Sequence, residues 1–403
     1  MDSYRFYLGA RAFYAICWTC MVTVNMVFMV EVAGLDPLQM VLVGTVLEAS
    51  VFLFEIPTGV VADAVSRKLS VIVGHGMIGV GFLVLALFPS FAFILLSQVI
   101  WGVGWTFISG AYAAWLSERL GVERANEAFL RGSQVSHAAA FIGIGGAIVL
   151  AHISLRLPII VGALGVIGLA VSMCFLMRES GCEPSAAGER ETWKMMRLTF
   201  HSGVEEIRNR PVLLAMLCIT ALFGMFSEGI DRLFTPYLIE SFEFPGLGDL
   251  GSVTWWGIIA AVSSLVGLAT TTVARRKVDL DDQVNLTWIL GSLLLVIGIL
   301  VLLIANLSGF TMVLVCYWLV GGLRSAYGPL VTAWLNRLLP APSKATLFSM
   351  YGQSDALGQT VGGPVIGALA KYVSISFALG TSAVLLLPSM PMYRKAAKGL
   401  QRS

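Results

Sequence analysis

Residues 284–305 read VNLTWILGSLLLVIGILVLLIA and contain no charged side chain. At a rise of about 1.5 Å per residue, a helix of this length is roughly 33 Å long, which matches the ~30 Å hydrocarbon core of a bilayer. In lipid the backbone amides and carbonyls must pair within their own segment, and an α-helix meets that requirement. The stretch therefore predicts a membrane-spanning helix.

Similar apolar blocks recur along the whole chain of 403 residues, of which 57% are hydrophobic and 12% are charged. A soluble domain carries about 25% charged residues, so this composition could not supply a water-facing surface. We predict an all-α polytopic membrane protein with twelve transmembrane helices. The predicted spans are 6–32, 38–62, 69–88, 91–116, 130–151, 157–177, 212–239, 252–274, 284–305, 310–335, 347–370 and 372–391.

The basic residues alternate between the predicted loops. Of the 26 Lys and Arg, 22 fall in or beside one set of alternate loops, only Arg156 and Lys371 fall in the opposite set, and Arg232 and Arg324 lie deep within spans. Cytoplasmic loops carry the excess of Lys and Arg in membrane proteins. We therefore expect a multi-pass protein of the bacterial inner (plasma) membrane with both termini in the cytoplasm.

One sizeable polar segment divides the spans into six and six. We expect an N-terminal six-helix bundle at 1–177, a cytoplasmic linker at 178–211 and a C-terminal six-helix bundle at 212–403. Within the linker, residues 193–208 have mixed charge and an apolar spacing compatible with a short amphipathic helix on the membrane surface.

The two halves share an internal repeat at a shift of 219 residues. The shift matches Gly102 with Gly321, Gly143 with Gly362, and Ala-Trp-Leu at 114–116 with Ala-Trp-Leu at 333–335. Parallel six-span repeats with a substrate site near the midplane are a recognised transporter plan. The repeat therefore favours a transporter that works by alternating access. We interpret Trp115 and Trp334, at span ends, as interfacial anchors.

The loop after the second span reads Gly59-Val-Val-Ala-Asp-Ala-Val-Ser-Arg-Lys68. It resembles the signature loop of the major facilitator superfamily, Gly-x-Leu-Ala-Asp-Arg-x-Gly-Arg-Lys, and departs from it at positions 61, 64 and 66. The resemblance implies a gating loop made by Gly59, Asp63, Arg67 and Lys68. It also implies that Asp63 caps the third helix and joins the arginine in a charge cluster, which agrees with the preference for acids at helix N-termini.

Three further phrases resemble the drug:proton antiporters of that superfamily, which include tetracycline and macrolide exporters. They are Phe-Glu-Ile-Pro-Thr-Gly at 54–59, Ser-Gly-Ala-Tyr-Ala-Ala-Trp-Leu at 109–116 and Ser-Glu-Gly-Ile-Asp-Arg-Leu at 227–233. Many such antiporters have an arginine of the fourth span where this chain has Gln98. The usual proton relay therefore cannot be carried over unchanged.

Charged side chains within spans are functional candidates, because each costs about 2.5–3.5 kcal/mol at the bilayer centre. The candidates for proton coupling are Glu48, Glu55, Glu228, Asp231 and Asp355. Glu55 either carries protons or joins the cluster of the gating loop. The i,i+4 spacing of Glu228 and Arg232 predicts an intramembrane ion pair, which is either a coupling switch or a static contact.

Arg324 requires an acid or backbone carbonyls nearby, and Asp355 is a candidate partner. Aromatic and amide side chains concentrate near it and in the fourth span, where they form either a substrate wall or ordinary packing. The substrate-cavity candidates are Arg324, Gln98, Trp101, Trp105, Tyr112, Tyr327, Gln134 and Gln353.

These features predict a secondary transporter that exports a small amphipathic, drug-like compound in exchange for protons. The alternative is a proton-coupled carrier of an organic anion or another metabolite, with an arginine as the binding group. We find no nucleotide-binding loop and no catalytic cluster, so we expect neither ATP use nor enzymatic activity. We expect no cofactor, metal or nucleic-acid partner, and a monomer in contact with the lipid bilayer.

Overall fold

The computed structural model describes residues 2–177, 211–246, 253–338 and 344–400, which form fourteen helices and no β-strand. In chain order the helices are α1 (Ser3–Glu31), α2 (Pro37–Ala64), α3 (Arg67–Leu87), α4 (Phe91–Ser109), α5 (Ala111–Leu120), α6 (Val122–Ala151), α7 (Arg156–Leu176), α8 (Pro211–Ser241), α9 (Val253–Lys277), α10 (Gln283–Asn306), α11 (Phe310–Leu338), α12 (Lys344–Tyr372), α13 (Ile375–Val384) and α14 (Ser389–Leu400). The prediction of an all-α fold is confirmed.

Eleven helical stretches of the described residues are long and apolar enough to cross a membrane. Two of them combine neighbouring helices, α4 with α5 and α13 with α14. The predicted eleventh span corresponds to α12, which has 29 residues but carries polar side chains such as Gln353 and Asp355. The chain is therefore a multi-pass membrane protein, and α12 is its most polar span.

Three predicted boundaries need correction, because apolarity marks the part of a helix in lipid rather than the whole helix. The span predicted at 130–151 begins at Val122, and its added turns carry charged residues such as Glu123 and Arg124. The span predicted at 91–116 is divided at Gly110 and ends at Leu120. The span predicted at 372–391 is α13 and α14, separated by a turn that ends at Pro388.

The helices form two compact units. Unit 1 takes its described residues from 1–35, 46–188 and 244–261, and unit 2 from 36–45, 189–243 and 262–403. Residues 178–210, with the amphipathic helix predicted at 193–208, lie outside the described residues. The predicted division of the chain at 177 and 212 stays a prediction. Residues 36–45 at the start of α2 group with unit 2, and residues 244–261, which include the start of α9, group with unit 1.

The repeat is visible as the same glycine contact in both units. In unit 1 a Cβ on Gly143 of α6 would meet the carbonyl of Ile16 in α1. In unit 2 a Cβ on the matching Gly362 of α12 would lie 2.7 Å from Cβ of Met225 in α8. Glycine is therefore required where the fifth span of each half crosses the first.

Trp115 and Trp334 are both 0% exposed. Trp115 packs edge-on against Phe6 with ring centroids 6.2 Å apart, and Trp334 packs against Tyr393 at 5.8 Å. A side chain enclosed by protein does not reach the lipid headgroups. The interpretation of these residues as interfacial anchors is therefore wrong: each fills the core of its own unit.

The first turns of α2 pack within unit 2. Lys371 donates to Asp36 at 2.9 Å. Partial burial alone would raise the pKa of Asp36, but hydrogen bonds from Lys371 and from the Gln39 amide outweigh it and lower that pKa below its ordinary value. Further along α2, a Cβ on Gly44 would collide with the carboxylate of Glu228. This segment therefore approaches α8 and α12 closely.

Candidate functional site

Unit 1 contains a partly open cavity of about 260 Å³. The helices α1, α3, α4, α5 and α6 contribute its polar and aromatic lining. That lining includes Tyr7, Arg11, Tyr14, His75, Trp105 and Tyr112. Two substrate-cavity candidates, Trp105 and Tyr112, therefore lie in one cavity.

Several polar atoms of this lining lack a partner. Nε of Arg11 and the hydroxyls of Tyr14 and Tyr112 are buried and make no hydrogen bond with any described residue. Tyr112 is only 9% exposed. Across the described ranges, no carboxylate forms an ion pair with Arg11. Since buried polar groups are normally satisfied, this cluster of unpaired donors is unusual.

The remaining polar groups around the cavity are already engaged. The Nδ1 proton of His75 is donated to the carbonyl of Val71 at 2.8 Å, which fixes the ring edge-on to Tyr14. The Ser109 hydroxyl donates to Glu55 at 2.8 Å. Glu55 is therefore hydrogen-bonded to Ser109, which lines the cavity.

Unit 2 contains a bidentate ion pair between α8 and α11. Nη1 and Nη2 of Arg324 lie 2.5 and 2.8 Å from the two carboxylate oxygens of Asp231. The guanidinium also lies 5.7 Å from the ring of Phe223 and 5.9 Å from that of Phe226. The pair is partly accessible, because the side chain of Asp231 is 48% exposed.

Asp355 of α12 interacts electrostatically with both members of that pair. Its Oδ2 accepts a hydrogen bond from Gln359 at 3.0 Å, whereas its buried Oδ1 accepts none from the described residues. The contact with Arg324 that the sequence suggested for Asp355 is taken by Asp231 instead. The two acids and the arginine form one cluster, which we call the unit 2 acid cluster.

Glu228 and Arg232 form a second pair, with 3.3 Å between Oε1 and Nε. Their side chains are only 1% and 9% exposed, so this pair is much more enclosed than that of Asp231. Breaking a pair that is buried to this extent is strongly destabilising. The burial favours a static contact over a switch.

The gating loop pairs with α5. Arg67 contacts the carboxylate of Glu118, and Nζ of Lys68 lies 3.3 Å from the carbonyl of Cys174. The N-cap of α3 is Ser66, whose hydroxyl accepts from the Leu69 amide at 3.1 Å. The side chain of Asp63 lies outside the described ones, so its predicted contacts with α3 and Arg67 stay a prediction. A Cβ on Gly59 would meet nothing within 4 Å.

The other predicted residues make contacts of their own, and Tyr327 also stacks on Phe223 with ring centroids 5.2 Å apart, within electrostatic reach of Asp355. Trp101 packs against Trp18 and Phe82, and the hydroxyl of Tyr327 bonds that of Tyr393 at 2.8 Å. The buried Gln98 amide donates to Ser97 at 3.0 Å, and its Oε1 has no described partner. Gln134 is exposed, and Glu48 and Gln353 are half-buried.

Sequence reasoning does not single out Arg11, Tyr14 or Glu118. Arg11 resembles one of the cytoplasmic positive charges, although it lies two turns inside α1. Its spacing from Tyr7 and Tyr14, four residues before and three after, places all three on one helix face and is the available signal. No comparable local signal links Arg67 with Glu118, which are 51 residues apart.

Comparisons with known proteins agree with this architecture. The family model of the Major Facilitator Superfamily matches residues 7–281. The uncharacterised MFS-type transporter YxaM of Bacillus subtilis (strain 168) is 23% identical over 362 residues, covering 89% of this chain and 87% of that protein.

Solved structures share the fold at low identity. The nucleoside transporter NupG superposes with a TM-score of 0.75 at 14% identity, over 98% of this chain and 100% of that one. The peptide transporter POT, in complex with sulfate, gives 0.72 at 15% identity, over 98% of this chain and 95% of that one. At such identities the likeness extends to the fold alone. The match of the family model over most of its length shows that this chain belongs to the major facilitator superfamily of membrane transporters.

Proposed function

We propose that the chain is a proton-coupled secondary transporter that moves a small aromatic or amphipathic molecule by alternating access. The observation that carries the proposal is the unit 2 acid cluster, in which Arg324 pairs with Asp231 while Asp355 keeps a buried oxygen with no partner among the described residues. Ionisable groups within a membrane span are costly and mark ion or proton pathways.

Protonation of an acid in this cluster can break its ion pair with Arg324. When Asp231 is ionised, its two hydrogen bonds hold Arg324. A proton on Asp231 would remove the charge that holds the guanidinium, and Asp355 is the second acid within electrostatic reach of it. The arginine thus alternates between two acids as the proton arrives and leaves. Such a two-state element is what coupling requires.

Two classes of cargo are candidates, an amphipathic drug-like compound and an organic anion. Export of an amphipathic drug-like compound rests on the resemblance to the drug:proton antiporters and on aromatic lining such as Trp105. Carriage of an organic anion is favoured by a separate observation, Arg11 in the unit 1 cavity with no ion pair among the described residues. Proteins of the same fold include a nucleoside and a peptide transporter, which agrees with a metabolite as cargo.

Inverted membrane vesicles from cells that make the chain provide the test. The interior is acidified by respiration, and accumulation of two probes is followed: ethidium, an amphipathic cation, and benzenesulfonate, an aromatic anion that stays ionised throughout. We expect one of them to accumulate, a protonophore to abolish the accumulation, and Asp231→Asn or Asp355→Asn to reduce it by at least about tenfold.

The matched control is Glu243→Gln, which removes an exposed acid of the same unit outside the cluster. It should accumulate the probe as the wild type does. Accumulation that ignores the protonophore, or that survives both aspartate changes, would contradict proton coupling. Failure of the wild type to accumulate either probe would count against the proposed cargo classes.

A further inference from the structure

Arg11 differs from the arginines that lie deep in the spans of unit 2. Arg324 is neutralised by two hydrogen bonds to Asp231, and Arg232 pairs with Glu228. Arg11 has no ion pair among the described residues, and its Nε makes no hydrogen bond with them. A charged group within a span normally pairs with an acid or a carbonyl. Within its described part, unit 1 therefore keeps a cation without a counter-ion.

The internal repeat shows that the two halves carry their intramembrane arginines at different positions. At the shift of 219 residues, Trp105 of α4 occupies the position of Arg324 in α11. In unit 2 the arginine of the fourth span meets an acid on the first span of that half, α8. In unit 1 the arginine is on the first span, α1, and the fourth-span position is an aromatic ring on the same cavity.

The surroundings of Arg11 form a built site. Its neighbours on the cavity wall, Tyr14 and Tyr112, present buried hydroxyls that have no partner among the described residues. His75 lies between these two rings, with centroids 5.2 Å from Tyr14 and 6.0 Å from Tyr112. Arg11 lies roughly 12 Å along α1 from Ser3 and lines the cavity, which distinguishes it from a charge in a loop.

We propose that the unit 1 cavity binds the carboxylate of a small aromatic organic acid, with Arg11, Tyr14 and Tyr112 as its donors and Trp105 as the wall for its ring. A guanidinium offers a planar pair of donors that matches a carboxylate, and phenolic hydroxyls supply further hydrogen bonds. The aromatic lining suits a ring attached to that group. This inference rests on the proposed transport function and names the class of its cargo.

The volume of the cavity suits a small acid. Pockets for drug-sized ligands measure about 300–1,000 Å³. The unit 1 cavity, at about 260 Å³, falls below that range. It accommodates a single ring with one acidic group more readily than the fused rings of a tetracycline.

The test measures binding to the full-length protein in detergent by titration calorimetry. Benzoate is the probe, and benzamide, with the same ring and shape but no charge, is the matched ligand. We expect benzoate to bind at least about tenfold more tightly than benzamide, because a hydrogen bond to a charged group is worth that factor or more. Arg11→Gln should remove the preference.

Two conservative variants keep the test decisive if Arg11→Gln fails to fold. Tyr14→Phe and Tyr112→Phe remove one hydroxyl each, and each should weaken benzoate roughly two- to tenfold and benzamide by less, because a hydrogen bond to a charged acceptor is stronger. Arg156→Gln, at the start of α7, is the control for a lost positive charge and should change neither affinity. Equal binding of the two ligands, or unchanged benzoate affinity in the Arg11 and tyrosine variants, would overturn the assignment.

The measurement also separates this site from the proposed function. Calorimetry uses no proton gradient, so Asp231→Asn should bind benzoate as the wild type does. Binding that depends on Arg11 without any proton-dependent transport would reject the coupling and keep the site. Proton-dependent transport without a preference for benzoate over benzamide would keep the proton coupling and reject the carboxylate site.

Discussion

At the scale of single residues, burial separates two ion pairs that look alike in sequence. Glu228–Arg232 and Asp231–Arg324 both join an acid of α8 to an arginine, but their acids are 1% and 48% exposed. Removing one partner of a fully buried pair costs about 3–5 kcal/mol, and the cost falls as the partners gain access to solvent. We therefore propose that the pair of Glu228 and Arg232 stabilises the fold and that the pair of Asp231 and Arg324 takes part in proton coupling.

This division predicts opposite behaviour for two neighbouring substitutions. Glu228→Gln should lower the stability of the solubilised protein by about 3–5 kcal/mol, because Arg232 would be left buried without its charge partner. Asp231→Asn should cost less than this while impairing transport, because the side chain of Asp231 is 48% exposed. Thermal unfolding in detergent compares them directly. Equal losses of stability would show that exposure does not distinguish the pairs.

At the scale of helices, glycine spacing sets where spans approach each other. A Cβ on Gly143 would press on the carbonyl of Ile16, and one on Gly362 would press on the main chain of Met225. These contacts lie on the crossing of the fifth span with the first in each half. The same helices carry the two sites, since α1 holds Arg11 and α8 holds Asp231.

The crossing can be tested with two glycines of one helix. Gly143→Ala should destabilise the protein by about 1–3 kcal/mol, because backbone atoms of α1 would have to move. Gly145→Ala should stabilise it by up to about 1 kcal/mol, because nothing lies within 4 Å and alanine favours a helix. Thermal unfolding of the two variants decides. A loss of stability in Gly145→Ala as large as in Gly143→Ala would argue against the close crossing.

The elements themselves are largely predictable from the sequence, and their ends are not. Apolar blocks identify the parts of helices that lie in lipid, so most predicted spans fall within a few residues of their structural bounds. The charged first turns of α6 give no such signal, because a helix can continue into water. Gly121, with a φ of 78°, ends α5 in the left-handed region that glycine tolerates.

At the scale of the whole molecule, the sequence indicates which residues are costly but not which of them meet. Arg324 and Asp231 are 93 residues apart, and no local pattern could choose Asp231 over Asp355 as its partner. The pair of Glu228 and Arg232, spaced i,i+4, can be anticipated because helix geometry brings such residues together. Contacts within a helix follow from spacing, whereas contacts between helices depend on packing.

The two units divide the proposed work. Unit 1 offers a cation with no described counter-ion in an aromatic cavity, and unit 2 offers two acids that compete for one arginine. Cargo binding and proton binding would then be separable by mutation, which a single shared site would not allow. Loss of Arg11 should abolish transport of an aromatic anion through binding, and loss of Asp231 should abolish it through coupling.

The most direct test of the central claim follows protons across liposomes that contain only the purified chain. A pH-sensitive dye is trapped inside, K⁺ and valinomycin dissipate the membrane potential that anion entry and proton exit would build, and benzenesulfonate added outside is the only energy source. We predict that entry of the anion drives protons out of the liposomes, and that Asp231→Asn abolishes the proton movement while Glu243→Gln preserves it. Entry of benzenesulfonate through the wild-type chain with no change of internal pH would contradict proton-coupled transport.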